Sequence, residues 1–272
     1  MTKNLVTILV VLIFSSCSKK EPVYEPTSKS EGYAIYQEAF EALEKGDLFF
    51  AQKKFTEAEL QFDTYEHASK AAVMATYCLY GINFYEDAIA NIERFQKKYP
   101  ADYNIIYIHY LKAIIYFEQI SDEKKDIEPL LKALNEIEFF LKEYPESDYA
   151  IDLQFKKDLA INQLAAKELF IAKYYISVKK WIPAINRLKK IVREYDKTIF
   201  IEEALHRLVE IHYFIGLEEE SKKYAKILGY NYNSSEWFQQ SYKILNKDYQ
   251  IPKIKKINNK DSFLKKIIKK IK

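Results

Sequence analysis

Residues 85–100, YEDAIANIERFQKKYP, contain the pattern that decides the fold. A small residue, Ala88, is followed four and seven positions later by the apolar residues Ile92 and Phe95. This spacing puts the three side chains on one face of an α-helix and leaves the charged residues on the other. The segment closes on Tyr99 and Pro100, and proline cannot continue a helix. It therefore predicts an amphipathic helix that ends near residue 99 and buries one face.

The same three-residue set recurs along the chain in five copies, the last in a looser form. Successive first members lie 37, 45, 51 and 37 positions apart, compared with about 34 residues in a tetratricopeptide repeat (TPR). A unit of this kind cannot bury its apolar face alone, so it stacks on its neighbours. We therefore predict an all-α fold, a right-handed TPR-like solenoid of about five helix–turn–helix repeats between residues 33 and about 240. The sets are Ala51/Phe55/Ala58, Ala88/Ile92/Phe95, Ala133/Ile137/Phe140, Ala184/Leu188/Ile191 and Ser221/Ala225/Leu228.

Composition agrees with a helical fold. The 272 residues include only 5 glycines and 7 prolines, too few for a sheet protein with many tight turns. Gly46, Gly81 and Gly216 are predicted to lie in turns between paired helices, where glycine is favoured. Extra residues are expected at two places: a polar insertion at 120–129, and a stretch at 151–180 that forms either an extended helix or a broken one.

The start of the chain predicts export. An apolar run from Leu5 to Phe14 follows Lys3; its ten or so residues are too few for a membrane span, which needs about 20, but suit a signal peptide. The residues before Cys17 resemble the lipobox of bacterial lipoproteins, in which the cysteine is acylated; the alternative is a plain secretory signal. We expect a signal peptide at 1–16, lipid on Cys17 and a flexible tether to residue 32. Ser18 favours passage to the outer membrane.

The C-terminal end is strongly basic. Residues 251–272 contain nine lysines and a single acidic residue, Asp261, whereas the whole chain has a net charge of +3. Apolar residues at 264, 267, 268 and 271 allow an amphipathic helix, which would lie on an anionic membrane or on a partner. The alternative is a solvated tail, and binding to nucleic acid is not expected in an exported protein.

No catalytic motif is found in the sequence. It has no nucleotide-binding loop, no G-x-S-x-G and no H-E-x-x-H. One Glu-x-x-His pair, Glu203 and His206, stands alone, whereas a di-iron bundle needs two such pairs and further glutamates. His206 is therefore predicted to be a surface or inter-helix residue, and Cys78 a buried thiol with no disulfide partner. We expect no enzyme, no metal and no cofactor apart from the lipid on Cys17.

Several tyrosines fall on the predicted first helices of the second and third repeats, which line the groove of a TPR protein. Tyrosine offers a large, rigid contact area with a polar tip, so these residues could receive an extended peptide. The alternative is packing within the repeats. The candidates are Tyr77, Tyr80, Tyr107 and Tyr110.

A lipoprotein signal, a tether and five TPR-like units together resemble the BamD family of outer-membrane assembly lipoproteins of Gram-negative bacteria. The resemblance extends to about Leu245. It is carried by YEDAIANIERFQKKYP at 85–100, DLAINQLAAKELFIAKYYISVKKWIPAINRLKKIVREY at 158–195, EALHRLVEIHYFIGL at 203–217 and AKILGYNYNSSEWFQQSYKIL at 225–245. The second segment is the most specific, because it spans a break in the repeat that ordinary TPR proteins lack.

The resemblance implies a non-catalytic scaffold of the β-barrel assembly machine. N-terminal repeats at 33–146 would meet unfolded outer-membrane proteins, and C-terminal repeats at 147–245 would hold BamA through a periplasmic POTRA domain, beside other lipoproteins of the machine. Arg187 matches a family arginine on the BamA-facing side, with Trp181 and Arg193 as neighbours. On its chemistry alone, Arg187 could equally form an internal salt bridge. The rival function is another periplasmic TPR adaptor that coordinates cell-envelope or division proteins.

Overall fold

A computed structural model describes residues 31–120, 122 and 124–246. The predicted signal peptide, Cys17 and the lysine-rich tail lie outside these residues. The described residues form eleven α-helices and no strand. The helices are α1 (Glu31–Glu44), α2 (Leu48–Gln61), α3 (Tyr65–Gly81), α4 (Tyr85–Lys98), α5 (Ile105–Glu118), α6 (Glu128–Glu143), α7 (Ala150–Ser177), α8 (Trp181–Glu194), α9 (Ile201–Phe214), α10 (Glu218–Asn231) and α11 (Glu236–Leu245).

The first ten helices follow one another as five helix–turn–helix pairs, and α11 comes after the last pair. The second helix of each pair ends where the sequence predicts. Its capping residue donates its N–H to the carbonyl of the last member of the buried set, four residues earlier. The all-α, TPR-like fold and the number of repeats are therefore confirmed. The five capping residues are Phe62, Tyr99, Tyr144, Tyr195 and Tyr232.

The five predicted sets form the centre of the core. Every member is at most 2% exposed. The chain divides within α5 into two compact units, with described residues 31–115 in the N-terminal unit and those from 116 to 246 in the C-terminal unit. In the first, the α4 set packs with residues of α3 and α5 such as Ala72 and Ile108. In the second, the α8 set packs with residues of α7 and α9 such as Leu169 and Leu208.

Four of the helix–helix turns share one backbone arrangement. Each contains a residue with positive φ, and the N–H of the residue after it bonds to a carbonyl five residues earlier, at 2.8–2.9 Å. This is the Schellman arrangement, which satisfies carbonyls left open at a helix end. The positive-φ residues are Gly46 (80°), Asn83 (61°), Lys179 (57°) and Gly216 (82°).

The prediction for Gly81 was therefore wrong. Gly81 is the last residue of α3, and Asn83 adopts the left-handed conformation two positions later. Gly81 instead lies against another helix: a Cβ there would be 2.8 Å from Cδ1 of Leu48. A side chain at Gly81 would therefore displace the end of the Leu48 side chain on α2, whereas the turn conformation is adopted by Asn83.

Lys179 offers a direct test of the turn. A lysine in the left-handed region carries a steric cost of about 1 kcal/mol that glycine avoids. We expect Lys179→Gly to raise the free energy of unfolding by about 0.5–1 kcal/mol, and Gly216→Lys to lower it by a similar amount. Urea titrations followed by circular dichroism measure both. Changes of the same sign in the two variants would contradict the assigned turn geometry.

The long stretch after the third repeat is one continuous helix. Helix α7 has 28 residues, about 42 Å at 1.5 Å per residue, and the helix that follows has 14. Of the two alternatives for residues 151–180, the extended helix is therefore correct. The polar insertion lies between α5 and α6, where the carboxylates of Asp122 and Asp126 accept hydrogen bonds from the backbone N–H groups of Lys124 and Glu128.

Candidate partner-binding surfaces

A groove with a positively charged lining runs along α8 in the C-terminal unit. It encloses about 480 Å³, and four of its seven lining residues are basic. None of the seven is acidic, so the groove suits an acidic partner. We call it the α8 groove; it is lined by Tyr175, Pro183, Asn186, Arg187, Lys189, Lys190 and Arg193.

A buried carboxylate beneath this groove holds two of its cations. Glu168 of α7 accepts hydrogen bonds from Nη1 of Arg187 at 3.0 Å and from Nζ of Lys190 at 2.7 Å. The hydrogen bond with Glu168 raises the pKa of Lys190. The Glu168 side chain is 10% exposed, whereas those of Arg187 and Lys190 are 42% and 36% exposed. One buried negative charge thus leaves an excess of positive charge at the surface.

Two of the three residues predicted to face BamA line the α8 groove. Arg187 does form the internal salt bridge that was one of its two alternatives, and its exposed part still faces the groove; binding of a partner stays a prediction. Arg193 lines the same groove and pairs with Glu194 at 2.6 Å. Trp181 is not among the lining residues: its ring packs 5.0 Å from that of Phe214.

The predicted tyrosine surface is partly used for packing. Tyr80 and Tyr107 pack against the core of the N-terminal unit. Tyr77 is exposed on α3, with its ring 6.4 Å from that of Tyr80, and the rings of Tyr107 and Tyr110 are 6.3 Å apart. Tyr77 therefore presents the clearest contact face of the four, and peptide binding by this group stays a prediction.

Sequence reasoning missed a larger groove between α2 and α4. It encloses about 640 Å³ and combines exposed apolar side chains with polar ones. The sequence did contain an indication of this groove, because Phe49, Leu60 and Phe84 are large apolar residues that lie outside the five buried sets. We call it the α2–α4 groove; it is lined by Phe49, Gln52, Thr56, Glu59, Leu60, Leu79, Ile82, Phe84, Asp87, Ala90, Asn91 and Arg94.

A buried carboxylate, Glu59, also lies in this groove. Arg94 donates two hydrogen bonds to it at 2.6 and 2.7 Å, Lys98 one at 3.0 Å and the hydroxyl of Tyr99 one at 2.9 Å. Burial by itself raises the pKa of Glu59, but these hydrogen bonds outweigh it and leave the pKa below its ordinary value of 4.5. Glu59 is therefore an ionised, fully bonded anchor for two cations.

Cys78 and His206 are both buried between helices. Cys78 is fully buried, as predicted, and burial raises the pKa of its thiol to about 11. His206 is the predicted inter-helix residue, with Nδ1 2.9 Å from the hydroxyl of Ser241 on α11. Glu203 pairs instead with Lys173, at 2.7 Å.

Within residues 31–246, apart from the two positions left out, no group of three or more His, Cys, Asp or Glu side chains could hold a metal ion. The helices described there include none that is both long enough and apolar enough to cross a membrane.

The model of the YfiO family, described as an outer membrane lipoprotein, matches residues 28–228. The chain belongs to this family. Curated relatives named outer membrane protein assembly factor BamD include one from Rickettsia prowazekii (strain Madrid E), 33% identical over 251 residues, covering 92% of this chain and 99% of the relative. A second, from Caulobacter vibrioides (strain ATCC 19089 / CIP 103742 / CB 15), is 34% identical over 274 residues, covering 97% of this chain and 89% of the relative.

The predicted membership of the BamD family is thereby confirmed, and with it a role in outer-membrane protein assembly and an association with the outer membrane. The rival function as another periplasmic TPR adaptor loses its support. Solved structures with some similarity include the type IV pilus biogenesis factor PilW (11% identity, 78% of this chain and 98% of that one) and a tetratricopeptide repeat protein from Parabacteroides merdae (16%, 79% and 73%). Both have a low TM-score of 0.35.

Proposed function

We propose that this BamD-family chain is a non-catalytic scaffold, held on the periplasmic face of the outer membrane by lipid on Cys17. Its C-terminal repeats bind BamA through a POTRA domain, and its N-terminal repeats meet unfolded outer-membrane proteins before their insertion. Other lipoproteins of the assembly machine are further partners. The mechanism is binding and handover, so no covalent bond is made or broken.

The α8 groove is the observation that carries the BamA side of the proposal. A guanidinium binds a carboxylate through two parallel hydrogen bonds, which makes arginine well suited to recognising an acidic residue on a partner. Glu168 fixes the position of Arg187, and Lys189 and Arg193 add positive charge along the same groove. An acidic loop of the POTRA domain would complement this surface.

The binding of unfolded chains is proposed from exposed aromatic side chains of the N-terminal unit. Such chains expose apolar and aromatic side chains, and Tyr77 presents an exposed aromatic face to solvent. Tyr80, Tyr107 and Tyr110 lie on the same pair of first helices, α3 and α5. These four tyrosines are the proposed substrate-contacting residues.

Co-purification of BamA from detergent-solubilised membranes tests the proposal. We expect the double variant Arg187→Gln/Lys189→Glu to reduce recovery of BamA by about tenfold or more, because a lost charge-assisted hydrogen bond is worth about 1.5–3 kcal/mol. Glutamine at 187 is preferable to glutamate, which would place a second carboxylate beside the buried Glu168 and destabilise the unit. Helix content, measured by circular dichroism, should be unchanged.

A matched control changes charge outside the groove. Lys142 of α6 lies in the same unit, is strongly exposed and does not line the groove, so Lys142→Glu should leave BamA recovery at the level of the original chain. If the double variant retains BamA as well as Lys142→Glu does, the α8 groove is not the BamA site.

A further inference from the structure

The α2–α4 groove has the form of a docking site for a polypeptide segment. Its walls are the facing sides of α2 and α4, and Leu79 and Ile82 from the end of α3 also line it. The distance along α4 from Phe84 to Arg94 is about 15 Å, at 1.5 Å per residue. An extended peptide of four or five residues, or three turns of a helix, has the same length.

One end of the groove is apolar and aromatic. Phe49 and Phe84 are 64% and 47% exposed although both line the groove. Leu60, which is 75% exposed and follows Glu59 on α2, extends the apolar lining towards the other end of the groove. Large apolar groups left in contact with water on the walls of one concave surface are typical of recognition sites. An aliphatic or aromatic side chain of a ligand would therefore be buried here.

The other end carries an excess of positive charge. The Glu59 side chain is 1% exposed, whereas those of its cationic partners Arg94 and Lys98 are 41% and 47% exposed. Two surface cations thus share one buried anion. The acidic residue that lines the groove at its surface, Asp87, lies in the first turn of α4, about 10 Å from Arg94 along the helix. A ligand carboxylate is attracted to the Arg94 end.

We propose that the α2–α4 groove docks a short segment of a partner protein that inserts apolar side chains between Phe49 and Phe84 and sets a carboxylate against Arg94. The side-chain oxygen of Gln52, which lines the groove, offers an acceptor to the segment. The Asn91 amide instead supports the site from within, because it donates to Thr76 and accepts from Arg94. This site is separate from the α8 groove and from the four tyrosines. It therefore stands or falls independently of the function proposed above.

The probe is an array of fluorescein-labelled decapeptides with two phenylalanines four positions apart. A glutamate follows the second phenylalanine at a spacing that varies along the array, and matched series carry glutamine or lysine in its place. Fluorescence anisotropy against the full-length chain in detergent is expected to give at least tenfold tighter binding for the best glutamate peptide than for its lysine counterpart.

Three variants locate the binding. Phe84→Ser and Leu60→Ser should each weaken the best glutamate peptide by tenfold or more. Serine at position 84 is a favourable helix N-cap, so loss of folding does not explain its effect. The control Tyr103→Ser alters an exposed aromatic residue of the same unit outside the groove and should bind the peptide as the original chain does.

Three results would overturn the proposal. One is absence of binding by every series at millimolar peptide, and another is equal affinity for the glutamate and lysine series. The third is a concentration-dependent dimer in sedimentation experiments that disappears in Phe84→Ser, which would make a second copy of the chain the occupant of the groove.

Discussion

Replacing Phe95 with alanine is expected to lower the free energy of unfolding of the N-terminal unit by about 3–5 kcal/mol. Phe95 is fully buried on α4, and its ring lies 5.1 Å from that of Tyr99. Its core cluster also contains Ile92 and Ile108, from two different helices. Truncation removes apolar burial and leaves a cavity that these neighbours can fill only in part.

Urea denaturation followed by circular dichroism at 222 nm measures the loss. Phe49→Ala provides the matched control, because it removes the same atoms from an exposed position on α2, and it is expected to cost less than about 1 kcal/mol. Equal losses in the two variants would mean that the buried sets do not form the core.

Replacing Glu59 with glutamine is expected to lower the free energy of unfolding near neutral pH by about 2 kcal/mol. Hydrogen bonds to a charged group contribute about 1.5–3 kcal/mol each, but those from Arg94 and Lys98 are discounted because both side chains are nearly half exposed. The bond from the buried hydroxyl of Tyr99 is counted in full. The same substitution is expected to change how the free energy of unfolding depends on pH.

The sign of the acid response follows from the lowered pKa of Glu59. Because the folded-state pKa lies below the ordinary value of 4.5, the stabilisation is fully present above that value and is lost as the pH falls through the folded-state pKa. Stability measured between neutral pH and about pH 3 should therefore fall more in the original chain than in Glu59→Gln. Glu57→Gln, which alters a partly exposed carboxylate on the same helix, should keep the original dependence; if it changes the dependence as much as Glu59→Gln does, Glu59 is not the source.

Local sequence pattern was sufficient to predict the repeats. The spacing of Ala88, Ile92 and Phe95 puts them on one helix face whatever surrounds them, and the same holds for the other four sets. Tyr99 could also be identified as a helix end, because Pro100 follows it. These features depend on residues within a few positions of each other, so one sequence is enough to recognise them.

Features that depend on distant residues could not be predicted in this way. Glu59 is like any charged residue on a solvated helix face until Arg94, 35 positions away, is placed beside it. The role of Glu168 could not be recognised for the same reason, because its partner Arg187 is 19 positions away in the sequence. Gly81 was misassigned for a related reason, because its neighbour in space is Leu48 of another helix. Helix packing, rather than local preference, determines these three positions.

The bridge between Glu168 and Arg187 has a consequence for the lifetime of a complex. A free arginine side chain carries about 2 kcal/mol of rotamer entropy, which is normally lost when a partner immobilises it. Here much of that loss occurs when the chain folds, since Glu168 already restrains the guanidinium. A partner that binds Arg187 therefore causes a smaller loss of side-chain entropy. The resulting gain in affinity appears mainly as slower dissociation.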